Sequence, residues 1–181
     1  MTPPPYGHVI RTHRLMLRPV EVTDVERFVQ IQSNWNVSRM LRMADYPPTR
    51  ESMSAWLAAA PREWAHGAAF RFAVVKDEAV IGCADIDEIA DAWGDLGYWF
   101  DEANWGAGLA TEAAGAVRDF AFKDLNLDGV RSGHAADNPA SGVVLLKLGF
   151  THLADERRWS KPRSAEIAQC VYRLARRAPQ P

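Results

Sequence analysis

The amino-acid sequence predicts an α/β (α+β) fold: a single mixed, mostly antiparallel central sheet flanked by helices. Three observations carry that expectation. Strand-like patterns occur in an opening segment, a central meander and a closing pair, with helical periodicity between them. The resulting order, β, α, α, β, β, β, α, β, α, β, β, sets helices on the faces of one sheet. A length of 181 residues, 48% of them hydrophobic, suits one domain with an ordinary core.

RLMLRPV (14–20) alternates apolar and polar residues as a half-buried strand does, and Pro19 ends it. Thr23 followed by Glu26 has capping-box spacing, which predicts a helix from about 24 to 33. Ser33 to Pro48 reads as loop or short irregular helix. Thr49 caps a second helix through Trp56 toward Trp64, which Pro61 should kink or divide. FRFAVVK (70–76), AVIGCADIDEI (79–89) and DLGYWF (95–100) form the meander, the first two joined by a tight turn at Asp77 and Glu78. Residues 107–124 make the strongest helix, with Ala110, Ala113, Ala114, Val117, Phe120 and Ala121 on one face. GVRSGHA (129–135) is a strand, and PASGVVLLKLG (139–149) is a helix closed by Gly149 at C′. HLADERRWS (152–160) and EIAQCVYRL (166–174) complete an antiparallel pair. Residues 1–10, rich in proline, are expected as a flexible N-terminal arm, 11–175 as the domain and 176–181 as a C-terminal tail.

The 21 Lys and Arg residues against 23 Asp and Glu give a net charge of −2, which offers nucleic acid no general attraction. No apolar run approaches the roughly 18–20 residues that a membrane helix needs, and the N-terminus lacks the regions of a signal peptide. Cys83 and Cys170 stand far apart in strand-like runs, so neither a metal site nor a disulfide framework is expected. A cytoplasmic protein without nucleic-acid or membrane partners is the expectation; a homodimer is one assembly it allows.

The stretch YWFDEANWGAGLATEAAGAV (98–117) places Gly106 and Gly108 immediately before the strongest helix. A helix N-terminus leaves backbone N–H groups unpaired and carries partial positive charge. Glycines there let a bulky anion approach the backbone. A dinucleotide fingerprint needs Gly or Ala where Thr111 stands, and a βαβ setting rather than a meander. A nucleotide P-loop needs a closing Gly-Lys-Ser/Thr, which is absent. A coenzyme A diphosphate is the third candidate, and a plain close-packed turn is the bland one.

Three segments together decide among these. RTHRLMLRPVEVTD, GYWFDEANWGAGLATEA and DNPASGVVLLKLGF, with the terminal VYRLAR, occur in the order and spacing of one family. Over roughly residues 11 to 175 the chain resembles the GNAT superfamily of acyl-CoA-dependent N-acetyltransferases, and within it the RimJ/RimL-like group. The resemblance implies a GNAT-like sheet whose GYWF strand splays from its neighbour near 129–135 and holds acetyl-CoA as co-substrate. By it, the backbone of Gly106, Ala107, Gly108, Leu109, Ala110 and Thr111 holds the coenzyme's diphosphate. The splayed edge at Trp99 and Phe100 meets its pantetheine arm and supplies an N–H to polarise the thioester. Trp105 stands where the superfamily usually has Gln or Arg, but the RimJ/RimL-like group often carries an aromatic residue there.

Many GNAT enzymes carry a Tyr general acid seven residues after the asparagine; from Asn138 that position is Leu145. The resemblance offers Ser141 instead, as a proton relay or a holder of sulfur, against the alternative of a backbone hydrogen bond in its helix. Asn138 suits a pantetheine amide or an N-cap before Pro139. Lys147 is placed either at the coenzyme's phosphates or in solvent. Gly142 and Val143 depart from the group's bulkier, often Arg-containing pattern, which puts phosphate contact from that turn in doubt. For the base, Asp95 is the leading candidate, beside Asp85, His134 or a water chain.

Between Lys76 and Arg118 there is no basic residue, yet acids recur from Asp77 through Asp85, Asp87, Glu88 and Asp95 to Glu112. Such a run is usually a solvated face, but here it decorates the strands where the family meets its acceptor. A negative wall there, with Asp85 in it, favours a cationic amine or basic peptide. Trp35, Arg39 and Met40 form the opposite wall by analogy. The implied activity is acetyl transfer to a protein N-terminal amine or a small-molecule amine by direct transfer in a ternary complex. A non-catalytic acyl-CoA-binding regulatory module is the alternative, and an NAD-linked oxidoreductase a distant third.

Overall fold

The computed structural model describes residues 3–176. Its strands are β1 (Ile10–Arg11), β2 (Met16–Pro19), β3 (Phe70–Lys76), β4 (Ala79–Ala90), β5 (Trp93–Phe100), β6 (Gly129–Ala135), β7 (Thr151–Ser160) and β8 (Ala165–Ala175). Its helices are α1 (Val25–Gln32), α2 (Trp35–Ser38), α3 (Arg50–Ala65), α4 (Leu109–Lys123) and α5 (Pro139–Lys147). The strands make one mixed sheet, as the sequence predicts, and its order is β1-β2-β3-β4-β5-β6-β8-β7, with the short β1 an addition to the seven expected strands. Every pairing is antiparallel except β5 with β6. That exception follows from α4, which carries the chain across one face between them; parallel neighbours need such a crossover.

Each face has its own core. Val20, Phe28, Met53, Leu57, Ala73 and Cys83 pack beneath α1 and α3. On the opposite face Phe72, Val74, Leu96, Phe100, Val130 and Leu145 pack with the buried stripe of α4, whose Ala113, Ala114, Val117, Phe120 and Ala121 match the predicted face. Asp77 and Glu78 form the tight turn with φ of 48° and 64°. Two positive φ values in succession suit a two-residue hairpin, because the turn's twist then matches that of its strands.

Two local expectations are corrected. The capping box is made by Glu21 and Asp24 around a 3-10 turn (Val22–Asp24), not by Thr23 and Glu26. Arg18 decides this: its guanidinium grips both Asp24 oxygens at 2.6 and 2.9 Å, fixing the carboxylate where it also accepts from Glu21 N–H. Pro61 does not divide the second helix, which runs unbroken over Arg50–Ala65 from its Thr49 cap. Pro61 itself is exposed, while Leu57, Ala60 and Trp64 on either side are buried, so packing of one face holds the helix through it.

Residues 4–8 lie against the domain. Trp64 Nε1 donates to Pro4 O at 2.7 Å, Tyr6 donates to Val20 O at 2.5 Å, and His8 stacks against Phe120. Residues 177–181, most of the expected tail, fall outside the described residues. Trp64 is 2% exposed and sits among Tyr6, Phe70, Phe72 and Phe120 with centroid distances of 4.8–6.1 Å. Trp64→Ala is therefore expected to cost about 3–5 kcal/mol in urea denaturation, the loss for deleting a buried large aromatic side chain.

Candidate active site

The sheet opens in its middle. β5 and β6 pair only over Trp93–Asp95 and Gly129–Arg131. Beyond that point they part, and Ser132 Oγ spans the start of the gap by donating to Leu96 O at 2.8 Å. This is the splay between GYWF and 129–135 expected from the sequence. Hydrogen-bonding direction alternates along a strand. Asp101 N–H donates to Ile81 O on the β4 side, so the backbone of Trp99 also faces β4. The N–H groups of Tyr98 and Phe100 then face the gap. Trp105 Nε1 already occupies Phe100 O at 3.0 Å, capping the open edge. Trp99 turns its indole onto Phe28, 4.7 Å between centroids.

The glycine turn closes one end of this gap. Gly106 and Gly108 both have φ of 76°, and Gly108 is the N-cap of α4 in the left-handed conformation. The first helical hydrogen bond recorded for α4 runs from Glu112 N to Gly108 O, which leaves the N–H groups of Leu109, Ala110 and Thr111 for an outside acceptor. A side-chain carbon at Gly106 would meet nothing within 4 Å, so the approach is open. Arg14 fastens the turn from behind, donating to Ala107 O at 2.9 Å and to Glu112 at 2.7 Å. Burial pushes the Glu112 carboxyl upward, but hydrogen bonds from Thr12 and Arg14 hold it below its ordinary value.

A cavity of about 950 Å³ runs from this turn through the gap to the other face. On the α4 and α5 side it is lined by Tyr98, Gly106, Gly108, Leu109, Ala110, Thr111, His134, Asn138, Ser141 and Lys147. Ser141, in the first turn of α5, meets the Tyr98 hydroxyl at 2.8 Å. Asn138 occupies the N-cap position before Pro139, yet its side chain makes no capping bond. His134 is buried at 7% exposure; its Nδ1 contacts Ala135 O at 2.9 Å, and Nε2 has no partner. A side-chain carbon on Gly142 would lie 2.7 Å from that Nε2, so the ring leaves room only for glycine there. Lys147 is exposed at the end of α5.

On the α1 and α3 side the lining is acidic, with Asp85, Asp87, Glu88 and Asp95. Asp85 lies across Gly97, where any side chain would collide with its carboxylate. Desolvation pushes Asp85 up to about 6 despite Arg71 nearby. Asp87, directly opposite Asp95 in the β4–β5 register, is pushed up to about 7 by desolvation and then by Asp85. Desolvation and Glu88 also raise Asp95, against the pull of Arg131, Arg158 and Arg42. A bulge follows Asp87, with Glu88 at φ of 46°; such bulges re-aim side chains beside functional sites. Facing carboxylates cost stability, and their raised pKa values make this cluster a candidate for acid–base chemistry. Two other acids of the run have partners elsewhere: Asp101 pairs with Arg27, and Glu102 binds Asn34 and Asn36.

Trp35 and Arg39 are not brought to the cavity. Trp35 leans on Tyr46, 4.7 Å between centroids, and Arg39 is tied to Asp137 at 2.9 Å, which Arg163 also grips. Met40, Leu41 and Met43 from the same segment, with Met53 and Trp56 of α3, form the wall facing the acids. Sequence reasoning gave no role to Tyr98, Arg14 or the facing of Asp87 and Asp95. Of these, only Tyr98 carried a signal, its place in the GYWF strand. One group with metal-ligand chemistry occurs among the described residues, His152, Asp155 and Cys170, on the outer β7–β8 pair. Among those described residues, no helix is long and apolar enough to cross a membrane.

Comparison with known proteins gives the arrangement relatives. Residues 14–151 match the family described as the acetyltransferase (GNAT) domain. Probable N-acetyltransferase YjcK of Bacillus subtilis (strain 168) is 29% identical over 151 residues, covering 78% of this chain and 83% of its own. The fold is similar to that of RimL, a ribosomal L7/L12 alpha-N-protein acetyltransferase solved with coenzyme A (TM-score 0.83, 17% identity, 93% of this chain and 98% of that one). It is also similar to Mycobacterium smegmatis RimJ solved with CoA-disulfide (TM-score 0.81, 20% identity, 89% and 81%).

Proposed function

The chain belongs to the GNAT acetyltransferase family, and we propose that it moves an acetyl group from acetyl-CoA to a primary amine by direct transfer in a ternary complex. One observation carries the reading: a single cavity joins a helix turn with unpaired N–H groups and an open strand edge on one face to a cluster of carboxylates on the other. Acetyl transfer needs those parts, since the thioester must be held and polarised while the amine is made neutral beside it.

In this reading the N–H groups of Leu109, Ala110 and Thr111 take the diphosphate, with Gly106 and Gly108 giving it room and Lys147 adding positive charge. Asn138 and the edge at Tyr98 and Phe100 take the amides of the pantetheine arm. The Phe100 or Tyr98 N–H polarises the thioester carbonyl. The acceptor enters from the acidic side, where Asp85, Asp87 and Asp95 favour a cation. Asp87 is the base. Its elevated pKa lies close to neutrality, whereas Asp95, raised by desolvation and Glu88 against the field of Arg131, Arg158 and Arg42, serves to hold the ammonium group. The acceptor is a protein N-terminal amine or a small cationic amine; the name of RimL, an alpha-N-protein acetyltransferase, supports the first.

Calorimetric titration with acetyl-CoA, with NAD as comparator, tests the reading. Micromolar binding of acetyl-CoA alone is expected, followed by thiol release when N-terminal peptides and small amines are supplied. Absence of acetyl-CoA binding would overturn the coenzyme assignment, and binding without release across the panel would leave a coenzyme-binding module.

A further inference from the structure

We propose that Tyr98 is a positioning residue for this transfer: its hydroxyl donates to Ser141 Oγ and so turns the serine's own proton toward the sulfur that leaves. The inference rests on the acetyl-CoA reading above. Tyr98 comes from the open edge of β5 and Ser141 from the first turn of α5, so their 2.8 Å contact bridges the two walls of the gap. Both side chains line the cavity. Ser141 Oγ makes no hydrogen bond back to its own helix among the described residues; Tyr98 is its partner. Leu145, at the position where a tyrosine acid would stand, is wholly buried and contributes no polar group.

The proton count gives the contact its meaning. Each hydroxyl has one hydrogen. If Ser141 donates to Tyr98, nothing remains for sulfur. If Tyr98 donates to Ser141 Oγ, the serine proton is free to point into the cavity. The competing target for the Tyr98 proton, Ser141 O, is farther away at 3.2 Å. Burial pushes the Tyr98 phenol up to about 12, so it keeps its proton throughout the range in which amines are acetylated. It is a permanent donor rather than an acid. During transfer the nitrogen–carbon bond forms and the carbon–sulfur bond breaks. The amine's proton passes to the carboxylates, and the electron pair leaves on sulfur. There the serine O–H hydrogen-bonds it until the released thiolate takes a proton from water. Neither hydroxyl loses its hydrogen.

Tyr98→Phe deletes that one donor and keeps the ring. The expected result is a fall in kcat of about tenfold, the worth of one neutral hydrogen bond. The calorimetric Kd for acetyl-CoA and the KM for the amine should stay within about twofold. Ser141→Ala should lower kcat at least as much, and the double variant should be no slower than Ser141→Ala, because Tyr98 acts through the serine. Wild-type kcat in Tyr98→Phe, or losses that multiply in the double variant, would overturn the proposal while leaving the acetyl-CoA reading intact. Failure of the unaltered protein to bind acetyl-CoA would overturn both.

Discussion

Gly108→Asp is expected to weaken acetyl-CoA binding roughly a thousandfold, beyond reach of ordinary calorimetry, in a protein that still folds. Two unit charges about 4 Å apart interact by about 4 kcal/mol at the effective dielectric of a protein surface, which is a factor of about a thousand. The aspartate would place its carboxylate where the N–H groups of Leu109, Ala110 and Thr111 are proposed to meet the diphosphate. Folding should survive, because a side-chain carbon at this position meets only Arg14 Nη2, at 3.6 Å. Asp also tolerates the left-handed conformation better than most residues. Gly108→Ala separates charge from backbone: it carries the left-handed strain of about 1–2 kcal/mol without the carboxylate. It should therefore lose far less affinity. Equal Kd values for Gly108→Asp and the unaltered protein would remove the turn from the coenzyme site.

What the sequence disclosed and what it withheld divide along the distance between partners. Gly106 and Gly108 were legible because positive φ before a helix selects glycine, and the helix announced itself by spacing. Asp77 and Glu78 were legible because two strand patterns flank them. The Glu21–Asp24 box was not, although it too is local, because Arg18 in the preceding strand sets the orientation of Asp24. Pro61 misled for a related reason: intrinsic preference opposes the helix, and Leu57, Ala60 and Trp64 override it by packing on the sheet. The cavity's chemistry lies further still from the local pattern. Tyr98 and Ser141 are 43 residues apart, and Arg14 and Glu112 are 98 apart. Asp87 meets Asp95 only in the register of β4 with β5. Arg39 could serve as a substrate wall in the sequence only until Asp137 and Arg163 drew it aside.

At pH 8, Asp87→Asn is expected to lower kcat/KM for the amine by roughly a hundredfold while making the fold more resistant to heat. The two effects share one cause. Desolvation, reinforced by Asp85, lifts the Asp87 carboxyl to about 7, far above the value near 4 of an unfolded chain. Folding therefore favours the protonated form. The stability this confers is fully present below about pH 4 and is lost as pH rises through about 7, where the folded protein must hold an ionised carboxylate facing Asp95. Activity runs the opposite way, because only the ionised form can take a proton from the amine, so wild-type kcat/KM should climb through about pH 7. Asparagine removes both the base and the buried charge. Its Tm gain, several degrees at pH 8, should shrink toward pH 4. Asp95→Asn is the comparison: a larger rate loss there, with full activity in Asp87→Asn, would transfer the base to Asp95. A Tm gain for Asp87→Asn that ignored pH would show that its ionisation is not what strains the site. In the proposed reading, the trade of stability for a neutral-range base accounts for Asp85, Asp87 and Asp95 crowding one end of a cavity whose other end is assigned to the coenzyme's diphosphate.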